Sequence, residues 1–589
     1  MGAFLTAEAK AVLGVRAQRA HEAMDGVDSQ SLLDQCESIW KASQGTVRDE
    51  SAVRRESPVM RLWDAEWHLQ HVANNPLSYE FEWIELDSGT GELVVLAEDP
   101  VGQWLLDFEG RDLRGEGAAP HITADYVGAR WGGRMEDVSI EETSTGDQIV
   151  TATFMHDYEN LKWIECFPNP FLPAITQFPR AWMLLGPVNW CALTTLFCNL
   201  MRDETPLTIP DDPLDLDEWT GGFNLSNWQI VVNPVSFIAA MQSGVLWGMP
   251  IIRMKYWHDA FAAMLADAEL SVQCDRWLEG DDEPWPGANL RNGTLVVSIV
   301  DKSGRYNSGT SEFGNLFGGL ESTIAEFSED FLDTSLALLT ETPVPNEYMQ
   351  IGVKSTNKTM PYVILRPGVT PGVESAKFIF TPEKVPKIIT GGKSAPGVNE
   401  GIGALIQAIG DVVGDNISFQ GYGVGSIGGA IDTLLRPLYT DTIMAWTDTK
   451  SFPRAQKLGW SRYVEFFQDG ADQAYTLNSL MVIRTGLWAT RRWSSHEVKL
   501  IDSCPWMLGD NGIGHMWVGD RVGTTKPRDD SGRVWVDRIK KVVLSADETT
   551  FHPDWTITVG EDAKNRDPFE DALDRIRSVT SGLHDVGLV

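Results

Sequence analysis

The chain has 589 residues, 43% of them hydrophobic and 22% charged, which sets it among folded, multi-domain proteins and away from disordered ones. Its 48 Lys and Arg against 83 Asp and Glu leave a formal charge of −35. That balance argues against wrapping nucleic acid, which needs clustered cations, and suits a soluble surface past which DNA slides.

Residues 1–57 read as a helical N-terminal arm. Thr6 can cap a run carrying Ala9, Val12, Leu13 and Val15, and Asp28 or Ser29 can cap the next. The first residues lack the apolar core and cleavage site of a secretory signal.

Residues 58–156 change to period two. In YEFEWIEL, Tyr79, Phe81 and Trp83 fall on one face and Glu80 and Glu82 on the other. The turn Asp87–Glu92 returns the chain into LVVL, predicting a hairpin. A second hairpin runs from Ala129 to Met155, with a bulge or sharp bend expected at Gly132–Gly133. This unit is expected to be a small β-barrel-like domain.

Residues 157–288 read as a mainly helical segment. Asp157 opens a helix, prolines punctuate 168–179, and Trp257, Phe261, Met264 and Leu265 recur at helical spacing. Two uncharged stretches, Ala181–Met201 and Trp219–Ile252, are interrupted by Asn, Gln, Gly and Pro, so buried or interface segments are expected there, not membrane spans.

Residues 289–412 read as a mixed α/β insertion, with strands at GTLVVSIVD, MPYVILRP and AKFIFTP, a helix near Asn315–Thr342 and a Gly/Pro loop near Gly391–Gly397. Residues 413–548 return to strands (NSLMVIRTGLWATRRW, HEVKLIDS, GRVWVDRIKKVVLSA) and are expected to form a second β-barrel-like domain. Residues 549–589 are an acidic tail with a short helix at Asp567–Ser578. The expected class is α+β and β-rich: two small barrels, a helical middle and a helical arm.

No motif carries clear chemistry. Gly423–Gly428 matches a dinucleotide-binding glycine loop, with Asp441 near the expected acidic position, but the alternating strands and helices that should follow are missing. A flexible glycine loop is the preferred reading. Lys393 and Ser394 end like a phosphate loop, yet Lys387 stands where its first glycine should be. His68 and His71 would need a helix and a third ligand to bind metal. Asp211, Asp212, Asp215, Asp217 and Glu218 lack the spacing of a calcium loop. The six cysteines make neither a disulfide framework nor a zinc site and read as buried thiols folded in a reducing cytoplasm. No catalytic, cofactor-binding or metal residue is assigned, and no cofactor is expected. The tryptophans Trp63, Trp67, Trp83, Trp104 and Trp131, and later Trp446, Trp460, Trp488 and Trp493, suit either a core or an interface.

Three stretches carry a resemblance: Arg61–His71, Asp157–Pro173 and Leu438–Arg491, joined by Ala129–Asp137 and His515–Gly523. They resemble the minor tail proteins of long-tailed phages that infect actinobacteria, which form the tail-tip or baseplate hub. The resemblance implies a structural virion protein at the tail tip, assembled in the host cytoplasm, and not an enzyme. It further implies a homotrimer of barrel-bearing subunits. This hub would contact the distal tail ring, the tape-measure protein and the fibre or receptor-binding proteins. DNA would pass through it only as cargo, and no membrane contact is expected. The rival readings are a tail-associated cell-wall hydrolase and a nicotinamide or flavin enzyme built on the glycine loop.

Overall fold

The computed structural model describes residues 37–38, 40–41, 45, 52–117, 119–144, 146–184, 186–204, 224–243, 245–248, 250–303, 335–338, 361–391, 418–419, 422–423, 446–467, 486–487, 490–500, 504–510, 514–528, 533–547 and 553–560. The chain divides into two compact units. One comprises Met1–Leu320, Thr334–Ile379 and Ser494–Ala563; the other comprises Glu321–Asp333, Phe380–Trp493 and Lys564–Val589.

The first unit is built on alternating strands. β1 (Val59–Trp63), β2 (Leu69–Ala73), β3 (Ser78–Ile84) and β4 (Thr90–Leu96) precede the short helices α1 (Pro100–Leu106) and α2 (Phe108–Leu113). β5 (His121–Tyr126), β6 (Ala129–Glu142) and β7 (Gln148–His156) follow. Both expected hairpins form, β3 with β4 and β6 with β7, each antiparallel. Tyr79, Phe81 and Trp83 point into the core while Glu80 stays exposed, as period two demands.

The bulge lies elsewhere than expected. The register shifts between Met135 and Asp137, not at Gly132–Gly133. Those glycines make room instead. A Cβ on Gly133 would sit 2.4 Å from the Trp131 ring, and one on Gly132 would sit 2.1 Å from an Asp157 carboxylate oxygen. Trp131 is fully buried, also crosses Gly91, and donates its Nε1 proton to the Glu82 carbonyl at 2.8 Å.

After a 3₁₀ turn at Asp157–Lys162, the middle segment packs a second core. It holds α3 (Val188–Glu204), β8 (Ile230–Val232), α4 (Phe237–Gln242) and α5 (Trp257–Asp267), then β9 (Leu270–Arg276) and β10 (Leu295–Asp301). β8 runs parallel to β10, and β10 antiparallel to β9. α5 buries Trp257, Phe261 and Leu265, the periodic residues read from the sequence, against α3. The two uncharged stretches are broken by turns, short strands and the helices α3 and α4, and no described helix is long and apolar enough to cross a membrane. The segment is therefore helix and sheet together, less helical than expected.

The late strands are β11 (Ser335–Leu338), β12 (Val363–Leu365) and β13 (Val373–Thr381), then β14 (Lys387–Gly391), β15 (Trp446–Lys450) and β16 (Phe466–Phe467) with helix α6 (Phe452–Leu458), and finally β17 (Trp493–Leu500), β18 (Arg521–Thr524), β19 (Arg533–Ala546) and β20 (Asp554–Gly560). Ser335–Leu338 is strand where a helix was expected, and Gly486–Leu487 is helical where a strand was expected.

The largest correction concerns the two barrels. The strands assigned to separate domains share one fourteen-stranded sheet of order β13-β17-β20-β19-β3-β4-β7-β6-β5-β1-β2, with β11 and β18 also paired to β19, and β12 to β18. β19 pairs with β3, setting Lys541 opposite Ile84 and Ala546 opposite Tyr79. Among the described residues this path does not close on itself. The fold is mostly β-sheet with some helices. A single core joins Phe81, Trp83 and Leu93 to Val498, Trp517, Leu544 and Trp555.

In the second unit, β14 lies between β15 (antiparallel) and β16 (parallel). The N-terminal arm lies almost wholly outside the described residues, as do the helix Asp567–Ser578 and the loop Gly392–Gly397.

Candidate functional site

The candidate metal and cofactor residues do not assemble into sites. His68 lies in the β1–β2 turn, its Nδ1 3.2 Å from Asp64 Oδ2. His71 lies on β2, its ring 5.5 Å from that of Trp104. Asp64 spends its oxygens on the turn, accepting from the backbone N–H groups of Glu66 and His68 and from Gln70, each at 2.9 Å. Asp211–Glu218, Lys393–Ser394 and all of the glycine loop after Gly423 lie outside the described residues, and Gly423 itself sits in a two-strand pairing with Ser418. Among the described residues no three His, Cys, Asp or Glu side chains converge on a metal-sized site. Cys166, Cys191, Cys198, Cys274 and Cys504 are free thiols; burial pushes Cys191 up to about 12 and Cys166 higher. Cys36 lies outside the described residues.

What the structure does concentrate is charge, buried between the large sheet and the middle segment. Asp157, 1% exposed, takes the Arg276 guanidinium on both oxygens, with Nε at 3.1 Å. Arg276 also donates to the Gly293 carbonyl at 2.9 Å. Arg521 donates to Glu269 at 2.7 Å and to the Lys302 carbonyl at 3.0 Å. Lys302 in turn meets Asp520 at 2.6 Å. Arg538 pairs with Glu85, which also takes Lys540 at 2.7 Å and the Ser271 hydroxyl at 2.9 Å. Arg130 bridges Asp125 and Asp281. Burial alone would raise the Glu85 carboxyl; Arg538, Lys540 and Ser271 together outweigh it and hold the group below its ordinary range. Asp157–Arg276, Glu269–Arg521, Lys302–Asp520 and Arg130–Asp281 join a residue of the sheet or its end loops to the middle segment, as the Ser271–Glu85 hydrogen bond does, whereas Arg538–Glu85, Lys540–Glu85 and Arg130–Asp125 lie within the sheet. The joining pairs orient one core on the other, since a buried charge tolerates few partners and few geometries.

A side chain wedge adds to this latch. Trp67, held at φ +63 in the β1–β2 turn, stacks on His121 at 4.7 Å between ring centroids and lies 4.6 Å from the Arg276 guanidinium. Asn292 donates to its carbonyl at 2.7 Å.

Sequence reading missed these pairs, because any of 83 acids could be matched on paper. One signal was present. Glu85 shares the parity of Tyr79, Phe81 and Trp83, so a carboxylate sits on the apolar face of its strand and demands a cation.

Burial drives several imidazoles down, three of them furthest: His121 to about 3, with Arg276 adding to the effect, His156 to about 4 against the pull of Asp157, and His496 to about 3 with help from Lys526; His258 is lowered too. Burial, with Asp510 next, raises the Asp275 carboxyl to about 7. Below pH 6.5 the unfolded chain takes up protons that the three native histidines refuse, so stability falls on acidification. Asp275 works in the opposite sense, holding a native proton that the unfolded chain releases, which stabilises the fold below pH 7 and is lost above it. Three groups outweigh one. The denaturant midpoint should therefore drop between pH 6.5 and 5 by the equivalent of about 1–3 kcal/mol, read by tryptophan fluorescence; an unchanged or rising midpoint would contradict this assignment.

Of the tryptophans, Trp63, Trp83, Trp104 and Trp131 are core. Trp446 and Trp460 are exposed, with Trp460 96% open. Trp488 lies outside the described residues.

An extended sheet, a second core latched to it by buried charge, and exposed aromatic side chains define a β-rich protein whose described features are those of packing and contact. Comparison with known proteins narrows that class. Residues 59–561 match the family model described as Siphovirus ReqiPepy6 Gp37-like protein. The chain is 31% identical to minor tail protein Gp28 of Mycobacterium phage L5, over 96% of this chain and 100% of that one. It is 29% identical to minor tail protein Gp28 of Mycobacterium phage D29, again over 96% and 100%. Among solved structures it is similar to the 43 kDa tail protein of prophage MuSo2 from Shewanella oneidensis, at 11% identity and a TM-score of 0.38, covering 85% of this chain and 98% of that one. The chain belongs to the Siphovirus ReqiPepy6 Gp37-like family and is a phage minor tail protein, a structural component of the virion tail.

Proposed function

We propose that this protein is a subunit of the hub at the distal tip of a long-tailed phage tail. In this reading three copies form a ring around the DNA passage. The ring joins the distal tail ring and the tape-measure protein to the fibre or receptor-binding proteins, and it works by contact, without catalysing a reaction. The observation that carries the reading is the alignment with two mycobacteriophage minor tail proteins along essentially their whole length. Physical chemistry agrees with it. A formal charge of −35 repels a passing polyanion, which a conduit for DNA requires. A latch of buried ion pairs favours one rigid arrangement of the two cores, as a load-bearing part needs.

Cross-linking mass spectrometry of purified virions tests it. Cross-links from this chain to the tape-measure and distal ring proteins, with antibody label at the tail end, are expected. Label along the shaft or on the head, with no such cross-links, would refute the placement. Release of soluble fragments from actinobacterial peptidoglycan by the purified chain would instead establish a cell-wall hydrolase.

A further inference from the structure

The segment 380–493 departs from the charge of the rest of the chain. It holds eleven Lys and Arg against ten Asp and Glu, a net +1, so the remaining residues carry −36. Within it, residues 449–464 contain four cations and no carboxylate.

The same short stretch exposes large apolar side chains on a fixed backbone. Ser451 caps α6, accepting from the Arg454 N–H at 3.4 Å, and Gly459 at φ +73 ends it. Arg462 then folds back and donates to the carbonyls of Ala455 at 3.0 Å and Gly459 at 2.5 Å. Arg454, buried, ties α6 down by donating to the Leu487 carbonyl at 2.9 Å. With the backbone secured on both sides of Gly459, Trp460 projects outward, joined by Phe452, Tyr463 and Val464, all at least 70% exposed. An indole carried on a well-bonded turn loses little entropy when it is covered, which is what an interface anchor requires.

We propose that this turn is a contact between copies of the chain, with Trp460 and Tyr463 as anchors and Lys450 and Lys457 at the rim, seated on the acidic surface of a neighbouring copy. Charge selects the occupant. The partner must be acidic, and −36 on the remainder of an identical chain supplies that surface. Nucleic acid would also suit cations and aromatic rings, but the same −36 repels it. The inference rests on the hub reading, and it adds which surface closes the ring.

Sedimentation velocity and native mass spectrometry of the full chain test it. The wild type should be trimeric at micromolar concentration. The Trp460→Ala/Tyr463→Ala variant should dissociate more than about tenfold more readily, with an unchanged circular dichroism spectrum, because anchor residues dominate interface energy. Lys450→Glu/Lys457→Glu should weaken assembly as well and remove its salt dependence. If both variants assemble like the wild type, this surface is not the contact, and the hub reading stands untouched. Retention of a single-stranded oligonucleotide by the wild type, lost in the lysine variant, would also overturn the proposal. A chain that stays monomeric at every concentration and is absent from the tail end overturns the hub reading itself.

Discussion

Asp157→Asn should cost about 3–5 kcal/mol of the first unit's stability, the price of stranding one member of a buried ion pair. Asp157 is 1% exposed and its partner Arg276 6%. With the carboxylate gone, the guanidinium keeps the Gly293 carbonyl at 2.9 Å and the face of Trp67, but no counter-charge. Water cannot replace the loss, because Asp157 fills the space left by the missing side chain of Gly132. The substitution keeps the shape, so packing is not what fails. His121 and His156 provide an internal check. Asp157 favours their protonation and Arg276 opposes it, so removing the carboxylate should push both imidazoles further down and carry the acid destabilisation on below about pH 4, where the wild-type histidines begin to protonate. Replacing both partners, Asp157→Leu with Arg276→Met, should recover much of the loss. Guanidinium unfolding followed by fluorescence reads all three. A single variant that loses less than 1 kcal/mol would show that the pair is solvated and that the latch is not electrostatic.

How far the sequence could be read depended on the range of the interaction. The hairpins at 78–96 and 129–156 were legible because alternation and a turn are local properties, and helix α5 because its apolar residues repeat within eleven positions. The pairing of Lys541 with Ile84 is not local. Nothing in either strand's alternation says which distant strand completes it, so two runs of strands looked like two domains when they form one sheet. The glycines at 132 and 133 misled for a related reason. Glycine permits a bend, but it also permits close approach, and only the positions of Trp131 and Asp157 distinguish the two. Charge pairing was hidden by abundance, apart from the parity of Glu85. The contrast between residues 380–493 and the rest was in the composition all along, but it gained meaning only once Trp460 was seen to be held outward.

Gly293→Ala should be nearly as damaging as the loss of Asp157, for a steric reason instead of an electrostatic one. At φ +87 the backbone disfavours any side chain, and a Cβ there would lie 2.0 Å from Trp67 Cγ. The indole has nowhere to retreat. His121 stacks on it at 4.7 Å and the Arg276 guanidinium lies 4.6 Å away. Strain of about 1–2 kcal/mol from the left-handed conformation and about 1–3 kcal/mol from overpacking should together remove about 2–5 kcal/mol. Gly115→Ala separates the two parts, because Gly115 shares the conformation (φ +75) but has no atom within 4 Å of its added Cβ. It should lose the strain alone. A Trp67→Ala background should abolish the overpacking part at Gly293, bringing the cost of Gly293→Ala down to that of Gly115→Ala. Should the cost stay the same with and without the indole, Trp67 would not be the wedge that locks the β1–β2 turn to the 277–294 loop. The acid-sensitive stability assigned to His121 would then need another cause, since that ring owes its burial to the same stack.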